Sequence, residues 1–457
     1  MDDRSLSWLP LLPPTTTLRP TGLPDGLLRL LARRIDANGE TWIAWRPGAC
    51  DPLLRHPFRA AALINPGKGV LPQLRLAGYS WVRPFAVVPN LRDARWFIPL
   101  DSPAAAARGW DLYTPMHYRA RISKAVARLA TRASVLQHIG DRIVLAQRQA
   151  APLEALFGET LGERSFSVSI ASGTPGPRRK VTLQLANSDG AVLAYAKYAT
   201  GPEVTALLRK EAEFLDYVLR LGLSSVQTPH LLYHGSYGDD YLMLSTPVSR
   251  DLRPSGVSLT ARHFAILREM AQECGESRVG DRLRLLGQRV AALSASLPPV
   301  WQQRFGRAMV VTLNTHGLHA LPTTLSHGDF APWNLRLHRH TNQVALFDWE
   351  QGQIDQLPLW DAFHFDTQVN LLVRRSDPAT SVQLTLSEML GSSLTRNLSL
   401  SAAQTAALYV GYLMDASVQW FEDHLPLRDS IAAESTEQET RGQMLEVAID
   451  LLRLWQQ

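Results

Sequence analysis

The chain has 457 residues, of which 45% are hydrophobic and 19% are charged. This composition is typical of a globular protein with a buried core, and the length allows about two to four domains. It excludes an intrinsically disordered chain, a collagen-like repeat and a coiled coil. No apolar run reaches the roughly 18 residues of a membrane-spanning helix. Two cysteines, Cys50 and Cys274, are too few for a disulfide framework or a zinc site.

The net charge of +5 is unevenly distributed along the chain. Residues 1–150 carry 21 Lys and Arg against 10 Asp and Glu, a net charge of +11. Residues 351–457 carry 6 against 14, a net charge of −8. This asymmetry indicates that the two ends have different partners. The acidic start, followed by a proline-rich stretch, is not typical of a secretory signal, so a cytoplasmic protein is expected.

Residues 1–148 are predicted to form a small basic α+β domain of short strands, turns and helices. Its clearest element is a helix within residues 117–139, which has two faces. The apolar stripe consists of Ile122, Val126, Leu129, Ala133 and Leu136, and the basic stripe of Arg121, Lys124, Arg128 and Arg132.

Two interpretations of this helix stay open. It could lie on an anionic membrane surface or a glycan, with the protein peripheral at the inner membrane face. Alternatively, it packs against its own domain and its basic face is solvated, which is common on surface helices. Five tryptophans of the same domain could stack on sugar rings or lie in its core: Trp42, Trp45, Trp81, Trp96 and Trp110.

Residues 149–250 are predicted to form a lobe with five strands and one helix. Alternating apolar residues predict strands over 165–171, 181–186 and 191–198, and capping signals predict a helix over 202–221. Two shorter strands follow it. Residues 251–457 are predicted to be mainly helical, with one hairpin within residues 325–350.

That hairpin segment carries a constellation that phosphoryl transfer needs. It contains His327-x-Asp329, with Asn334 five residues after the aspartate, and Asp348 at the end of an apolar strand. One carboxylate must accept the proton of the attacking hydroxyl, while an amide and a second carboxylate hold magnesium against the nucleotide phosphates. The hairpin, turning at residues 339–342, is expected to return Asp348 to the other two groups. Each residue alone could be a turn former, a cap or a core histidine, but the combined spacing favours catalysis.

This pattern resembles the aminoglycoside phosphotransferase and choline kinase branch of the protein-kinase-like fold, over roughly residues 160–457. The resemblance implies that Asp329 is the catalytic base and that Asn334 and Asp348 bind magnesium. It also implies that His327 braces the loop and that Asp361 supports it. The implied fold is α+β and bilobal, with a small five-stranded N-lobe (149–250) and a mainly helical C-lobe (251–457).

A kinase of this fold also needs a strand lysine that holds the phosphates and a helix glutamate that orients it. Lys197 lies on the third predicted strand of the lobe, and Glu211 lies on the next helix, with Glu213 as an alternative. A solvent-facing lysine and a solvated glutamate would explain the two residues separately. Their order ahead of the catalytic loop favours the functional pair.

The first hairpin of the lobe lacks Gly-x-Gly-x-x-Gly. The backbone amides of Ser172, Gly173 and Thr174 could still approach a phosphate, although an ordinary turn explains the segment equally well. Charge could be added there by Arg178, Arg179 or Lys180. Glu350 could lie near the metal or serve a structural role.

The sequence therefore predicts a magnesium- and ATP-dependent kinase, with GTP as the other possible donor. It would transfer the γ-phosphoryl group to a hydroxyl of a sugar, an amino sugar or an amino alcohol. Acidic residues of the C-terminal helices favour a cationic acceptor, although a solvated acidic surface explains them too. These residues are Asp415, Glu422, Asp423, Asp429, Glu434, Glu437 and Glu439. The basic N-terminal domain favours a role in glycoconjugate biosynthesis.

Two other classes of function remain as alternatives. The first is a catalytically silent kinase-like binding or scaffold protein that docks a membrane or a partner through the basic domain. The intact set of site residues argues against it. The second is nucleic-acid binding by residues 1–150, which contain no recognisable nucleic-acid-binding module.

Overall fold

The computed structural model describes residues 18–21, 41–44, 60–67, 69–90, 94–148, 152–173, 180–238, 240–249, 251–272, 275–316, 319–424 and 436–456. The chain forms two compact units. The first comprises Met1–Ala212 and His230–Pro247, and the second comprises Glu213–Pro229 and Val248–Gln457. This division differs from the three predicted segments, 1–148, 149–250 and 251–457.

A large sheet dominates the first unit, with eleven strands among the described residues. Its strands are β1 (Leu18–Thr21), β2 (Thr41–Ala44), β3 (Ala60–Ile64), β4 (Trp81–Val88), β5 (Trp96–Pro99), β6 (Asp141–Gln147), β7 (Ser167–Ala171), β8 (Val181–Ala186), β9 (Val192–Ala199), β11 (Leu231–Tyr237) and β12 (Asp240–Ser245). Their order across the sheet is β1-β2-β3-β6-β4-β5-β7-β8-β9-β12-β11. The pairs β1–β2 and β2–β3 are parallel, and the other neighbours are antiparallel.

Five helices accompany these strands in the described part of the unit. They are α1 (Val70–Leu76), α2 (Pro103–Gly109), α3 (Tyr118–Arg132), α4 (Pro152–Leu161) and α5 (Pro202–Leu221), the last of which continues past Ala212 into the second unit. Helix α2 starts where the Ser102 side chain accepts a hydrogen bond from the Ala105 amide. Helix α5 has Pro202 at its first position and Gly222 just after its end, in the left-handed conformation.

The predicted boundary at residues 148 and 149 runs through one sheet and one core. Strand β5 pairs with β7, with Phe97 opposite Ile170. Phe85 and Phe97 belong to the same buried cluster as Leu183, which lies on β8. The five strands of the predicted lobe are present as β7-β8-β9-β12-β11, but the strands before residue 148 extend that sheet rather than forming a separate domain.

The N-terminal helix also differs from the sequence prediction. Helix α3 ends at Arg132, and a short 3₁₀ helix follows over Val135–His138. Its apolar residues Ile122, Val126 and Leu129 are exposed, which contradicts a helix packed through that stripe with a solvated basic face. The side chain of Lys124 is instead half-buried.

The tryptophans of the N-terminal part are mainly structural. Trp81 and Trp110 are buried, and the indole nitrogen of Trp81 donates to Glu154. Burial excludes stacking of these two rings on a sugar. Trp96 is half-buried, and the side chains of Trp42 and Trp45 lie outside the described residues.

The second unit is mainly helical, as predicted. Its described helices are α6 (Ala261–Gln272), α7 (Val279–Leu293), α8 (Pro299–His316), α9 (Trp360–Gln368), α10 (Pro378–Leu390), α11 (Ser393–Asn397), α12 (Ala402–His424) and α13 (Thr436–Gln456). Aromatic side chains fill its core, with the rings of Trp301 and Phe421 centred 5.0 Å apart. Helix α12 is buried along most of its length, and other helices of the unit pack against it.

Short strands in this unit carry the loops of interest. They are β10 (Val226–Gln227), β13 (Leu252–Pro254), β14 (Glu276–Arg278), β15 (Ala320–Pro322), β16 (Thr324–Ser326), β17 (Leu335–His338), β18 (Val344–Leu346) and β19 (Gln353–Gln356). They form a four-stranded sheet, β10-β18-β17-β13, and two-stranded pairs β14–β15 and β16–β19. Among the described residues, none of the helices is both long and apolar enough to span a bilayer.

Candidate active site

The segment between β16 and β17 is held by one buried carboxylate. Asp361, in the first turn of α9, accepts hydrogen bonds from the Ser326 hydroxyl (2.9 Å) and from the backbone amides of His327 (2.7 Å) and Gly328 (2.9 Å). The side chain of Asp361 lies at a helix N-terminus, where a negative charge is favoured. Three hydrogen bonds to Asp361 therefore fix the backbone of the loop at His327 and Gly328 and the side chain of Ser326.

His327 is fully buried and connects the loop to the end of the hairpin. Its Nε2 lies 3.1 Å from the Phe347 carbonyl oxygen, and its Nδ1 accepts from the Asp329 amide at 3.3 Å. The carbonyl can only accept, so the proton is assigned to Nε2. Gly328 has φ +79°, and a Cβ there would lie 2.4 Å from the Gln351 carbonyl oxygen. Only glycine fits this turn.

Two side chains orient the Asp329 carboxylate. Asn334 donates from Nδ2 to Oδ2 at 2.8 Å, and His364 lies with Nε2 3.0 Å from Oδ1. The other ring nitrogen of His364 lies 3.1 Å from the hydroxyl of Tyr412. Burial raises the pKa of Tyr412 above its ordinary range, so its hydroxyl stays protonated and can donate to His364. The Asp329 side chain is 34% exposed, which leaves it accessible from solvent.

The β17–β18 hairpin places Asn334 and Asp348 at the same end. Leu335 pairs with Leu346, and the Phe347 amide donates to the Asn334 carbonyl at 3.3 Å. Asp348 follows directly, in the left-handed conformation with φ +73°. Carboxylate oxygens of Asp348 and Glu350 lie within 4.8 Å of each other. Asp329, Asn334 and Asp348 therefore belong to one loop-and-hairpin structure.

In the first unit, Lys197 and Glu211 form an ion pair. Lys197 lies on β9, in the middle of the antiparallel strands β8, β9 and β12, opposite Thr182 and Met243. Glu211 is buried on α5, and Lys180 lies 3.8 Å from its other carboxylate oxygen. Each carboxylate oxygen of Glu211 therefore lies near the ammonium group of one lysine. The alternative residue, Glu213, is exposed.

In the first hairpin of the lobe, Ser172 uses its hydrogen-bond donors within the protein. The Ser172 amide donates to the Arg95 carbonyl at 2.9 Å, and its hydroxyl donates to the Ala94 carbonyl at 2.9 Å. Both donors are therefore engaged within the sheet. Gly173 has φ +74°, a conformation suited to a tight turn, and Thr174 lies outside the described residues.

Several acidic residues near the C-terminus have protein partners. Arg289 pairs with Asp415 at 2.6 Å and with Glu422 at 2.7 Å. Burial alone would lower the pKa of Arg289, but the hydrogen bonds and negative charges of Glu422 and Asp415 outweigh burial and raise this pKa. Glu437 pairs with Arg441, while Asp429 and Glu434 lie outside the described residues. The acidic count therefore overstates the charge available to a cationic acceptor.

Two residues near the site were not singled out as catalytic partners from the sequence. His364 follows Asp361 by three residues on α9, so both lie on one helix face. That spacing was the available signal, but a single histidine on an apolar helix is ordinarily structural. The sequence indicates Lys180 only as a phosphate contact of the hairpin, because its proximity to Glu211 depends on pairing across the sheet.

Comparison with known proteins finds one family model that matches part of the chain. Residues 189–357 match the sequence profile of the phosphotransferase enzyme family (APH). This segment includes Lys197, Glu211, Asp329, Asn334 and Asp348. No curated protein matches the sequence.

Solved structures similar to this chain include two aminoglycoside phosphotransferases and an ethanolamine kinase. The chain is similar to a thermostable mutant of the aminoglycoside phosphotransferase APH(4)-Ia, with 11% identity, coverage of 66% of this chain and 99% of that chain, and a TM-score of 0.43. The Plasmodium vivax ethanolamine kinase has 10% identity, coverage of 64% of this chain and 84% of that chain, and a TM-score of 0.39. The GDP and kanamycin complex of APH(2'')-IIIa has 15% identity, coverage of 66% of this chain and 97% of that chain, and a TM-score of 0.39.

Proposed function

We propose that this protein is a magnesium- and ATP-dependent kinase that phosphorylates a hydroxyl group of a small molecule. The match of residues 189–357 to a family of phosphotransferases supports this reaction class. The observation that carries the proposal is the Asp329 carboxylate, which is accessible and is oriented by Asn334 and His364. GTP is the alternative donor, and a cytoplasmic location, where nucleotide is available, is part of the proposal.

Asp329 acts as the general base in this proposal. Each of its carboxylate oxygens accepts one hydrogen bond from the protein and retains a further acceptor site. One oxygen takes the proton of the acceptor hydroxyl as that hydroxyl forms its bond to the γ-phosphorus. The bond between the γ-phosphorus and the bridging oxygen breaks, and the electron pair leaves with the nucleoside diphosphate. Because the carboxylate is already oriented, little reorganisation accompanies the reaction.

The residues around the hairpin suit a hard divalent cation. Asn334 donates to Asp329 through Nδ2, so its amide oxygen is the atom that would bind a metal. Asp348 and Glu350 bring carboxylate oxygens within 4.8 Å of each other, and a cation between them would offset their repulsion. Asn334 and Asp348 are the proposed magnesium ligands, with Glu350 nearby. A bound cation would neutralise charge on the phosphate oxygens.

Lys197 and Gly173 complete the proposed nucleotide contacts. The ion pair with Glu211 fixes the ammonium group of Lys197, which would bind phosphate oxygens of the donor. The hairpin after β7 would approach the same phosphates through backbone amides. Gly173 is the better candidate there, because Ser172 donates within the sheet.

We further propose that the acceptor is a sugar, an amino sugar or an amino alcohol, in a biosynthetic pathway such as glycoconjugate synthesis. The pairing of Arg289 with Asp415 and Glu422 removes much of the argument for a strongly cationic acceptor. Neutral sugars therefore have to be tested beside amino sugars of the same size.

The test is transfer of the γ-phosphoryl group from labelled ATP to a panel of amino sugars, neutral sugars and amino alcohols. The Asp329→Asn variant should keep nucleotide binding and lose at least about 100-fold in transfer, the usual scale for a general base. Asp450→Asn, an exposed carboxylate on α13, is the control and should transfer like wild type. Equal rates for Asp329→Asn and wild type would contradict the mechanism. Failure of both nucleotides to bind would favour a silent binding protein.

A further inference from the structure

Helix α3 presents an apolar stripe to solvent. The exposed fractions of Ile122, Val126 and Leu129 are 45%, 61% and 69%, and that of Tyr118, one turn before, is 76%. Residues three or four apart lie on one face of a helix, so these four side chains form a continuous strip. We call this strip, residues Tyr118, Ile122, Val126 and Leu129, the α3 stripe.

The opposite face of the helix anchors it to the first unit. Thr131 accepts a hydrogen bond from the Trp110 indole at 2.9 Å, and Ala127 packs on the cluster that contains Trp110. Lys124 donates to the Tyr113 carbonyl at 2.7 Å, and Arg128 lies 3.3 Å from Asp111. The orientation is therefore set by specific contacts, and the outward position of the stripe follows from them.

Arginines border the α3 stripe on both sides. With 100° per residue, Arg119 falls on one side of the stripe, and Arg121 and Arg132 fall on the other. All three are exposed, and the helix contains no acidic residue. Residues 1–150 as a whole carry a net charge of +11, from 21 basic and 10 acidic side chains. The stripe and its arginines are complementary to a partner that has negative charges at its surface and an apolar layer below them.

We propose that α3 is a peripheral membrane anchor that lies in the surface of an anionic bilayer. Ile122, Val126 and Leu129 enter the boundary between headgroups and acyl chains, and the flanking arginines stay at the lipid phosphates. Apolar side chains between two rows of arginines match the acyl chains and the phosphate groups of an anionic bilayer. An apolar groove on another protein would need acidic residues along both of its edges to match the same surface. The proposal is independent of phosphoryl transfer.

The test is flotation of the full chain with vesicles of phosphatidylcholine alone, and with vesicles that contain 30% phosphatidylglycerol. Binding to the anionic vesicles should be at least about tenfold stronger and should fall in 0.5 M NaCl, because three arginines contribute electrostatically. The double variant Val126→Asp/Leu129→Asp should lose at least about tenfold in binding. The matched control is Val310→Asp/Leu313→Asp on α8, two exposed apolar residues outside the stripe, which should bind like wild type.

Three results would overturn the proposal. The first is equal binding to neutral and anionic vesicles, and the second is unchanged binding of the stripe variant. The third is a dimer of the wild type, seen by sedimentation without vesicles, that the stripe variant dissociates, because the stripe would then join two copies. The lipid and salt comparisons use wild-type protein, so they stay informative if a variant unfolds. Kinase activity is not a readout, so a failed anchor and a failed kinase are distinguishable.

Discussion

Nε2 of His364 lies 3.0 Å from Oδ1 of Asp329, so the carboxylate assigned as the base is held from a helix as well as from its own loop. Tyr412 contacts the other ring nitrogen of His364 at 3.1 Å. A carboxylate only accepts, so the shared proton is assigned to His364 Nε2, and in the neutral ring Nδ1 accepts from the tyrosine hydroxyl. His364 is thus a positioning residue for Asp329.

Replacing His364 should reduce turnover more than binding. His364→Ala leaves Asn334 as the remaining side chain that orients the carboxylate, and misplaced reacting groups cost on the order of 10- to 100-fold in rate. We expect kcat to fall by that factor while the KM for nucleotide stays within about twofold. Steady-state kinetics of nucleoside diphosphate release measure both constants.

Two further variants separate positioning from folding. His364→Gln keeps an N–H donor and should recover part of the lost kcat, whereas a purely structural histidine would not show this rescue. His230→Ala removes an exposed histidine and should behave like wild type. An unchanged kcat in His364→Ala would contradict the assigned role.

The Lys197–Glu211 pair should govern use of the nucleotide. Lys197→Ala removes the ammonium group that Glu211 orients, and we expect kcat/KM for ATP to fall on the order of 100-fold. Lys180, which is 3.8 Å from Glu211, still offsets the buried negative charge, so the variant should fold. Kinetics with varied ATP and a thermal unfolding curve measure the two effects.

A neighbouring lysine provides the control for that experiment. Lys210 is exposed on α5, next to Glu211 in sequence, and Lys210→Ala should keep wild-type kinetics. Lys180→Ala should have a smaller effect than Lys197→Ala. Equal losses in Lys197→Ala and Lys210→Ala would indicate a general effect of surface charge and count against a specific phosphate contact.

Asp366 should make stability depend on pH. Burial, reinforced by the negative charge of Glu388, raises the pKa of Asp366 from 3.8 to about 7. Between these values the folded protein holds a proton that the unfolded chain releases, so the free energy of unfolding falls as pH rises. The slope is about 1.4 kcal/mol per pH unit, and the total is on the order of 4 kcal/mol at most.

The Asp366→Asn variant removes this titration. Its Tm relative to wild type should rise by several degrees from pH 5 to pH 8, as measured by calorimetry. Burial lowers the pKa of His263 from 6.5 to about 4, so between these values the unfolded chain binds a proton that the folded protein does not. The free energy of unfolding therefore falls as pH falls below about 6.5, which is opposite to the effect of Asp366. His263 is present in both proteins and cancels in the difference. A difference in Tm that does not vary with pH would contradict a protonated Asp366.

The loop that carries Asp329 was predictable because its geometry is local. Asp329 and Asn334 are five residues apart on one loop, and the hairpin that returns Asp348 follows from two apolar strands and a polar turn. The helix that carries Glu211 was also readable from Pro202 and Gly222 at its ends. These features depend on short-range spacing, which a sequence displays directly.

Features that depend on distant pairing were not predictable. Strand β5 joins β7 across more than 70 residues, and neither strand's own pattern specifies its neighbour. Periodicity revealed two faces on α3 but not which one packs inward. The inward face is the one that carries Ala127, which packs on the cluster with Trp110, and Thr131, which accepts a hydrogen bond from the Trp110 indole. His364 reaches Asp329 through the placement of α9, which no local spacing encodes.

Thermal unfolding with ATP or GTP, with and without magnesium, shows whether the protein has a nucleotide site that depends on a metal. Nucleotide at about 100 times its Kd should add about 2.7 kcal/mol to the free energy of unfolding. We expect a magnesium-dependent rise in Tm for wild type that is lost in Asp348→Ala, which lacks the proposed metal ligand, and is retained in Asp450→Ala. No rise with either nucleotide, or an equal rise in Asp348→Ala, would contradict the account.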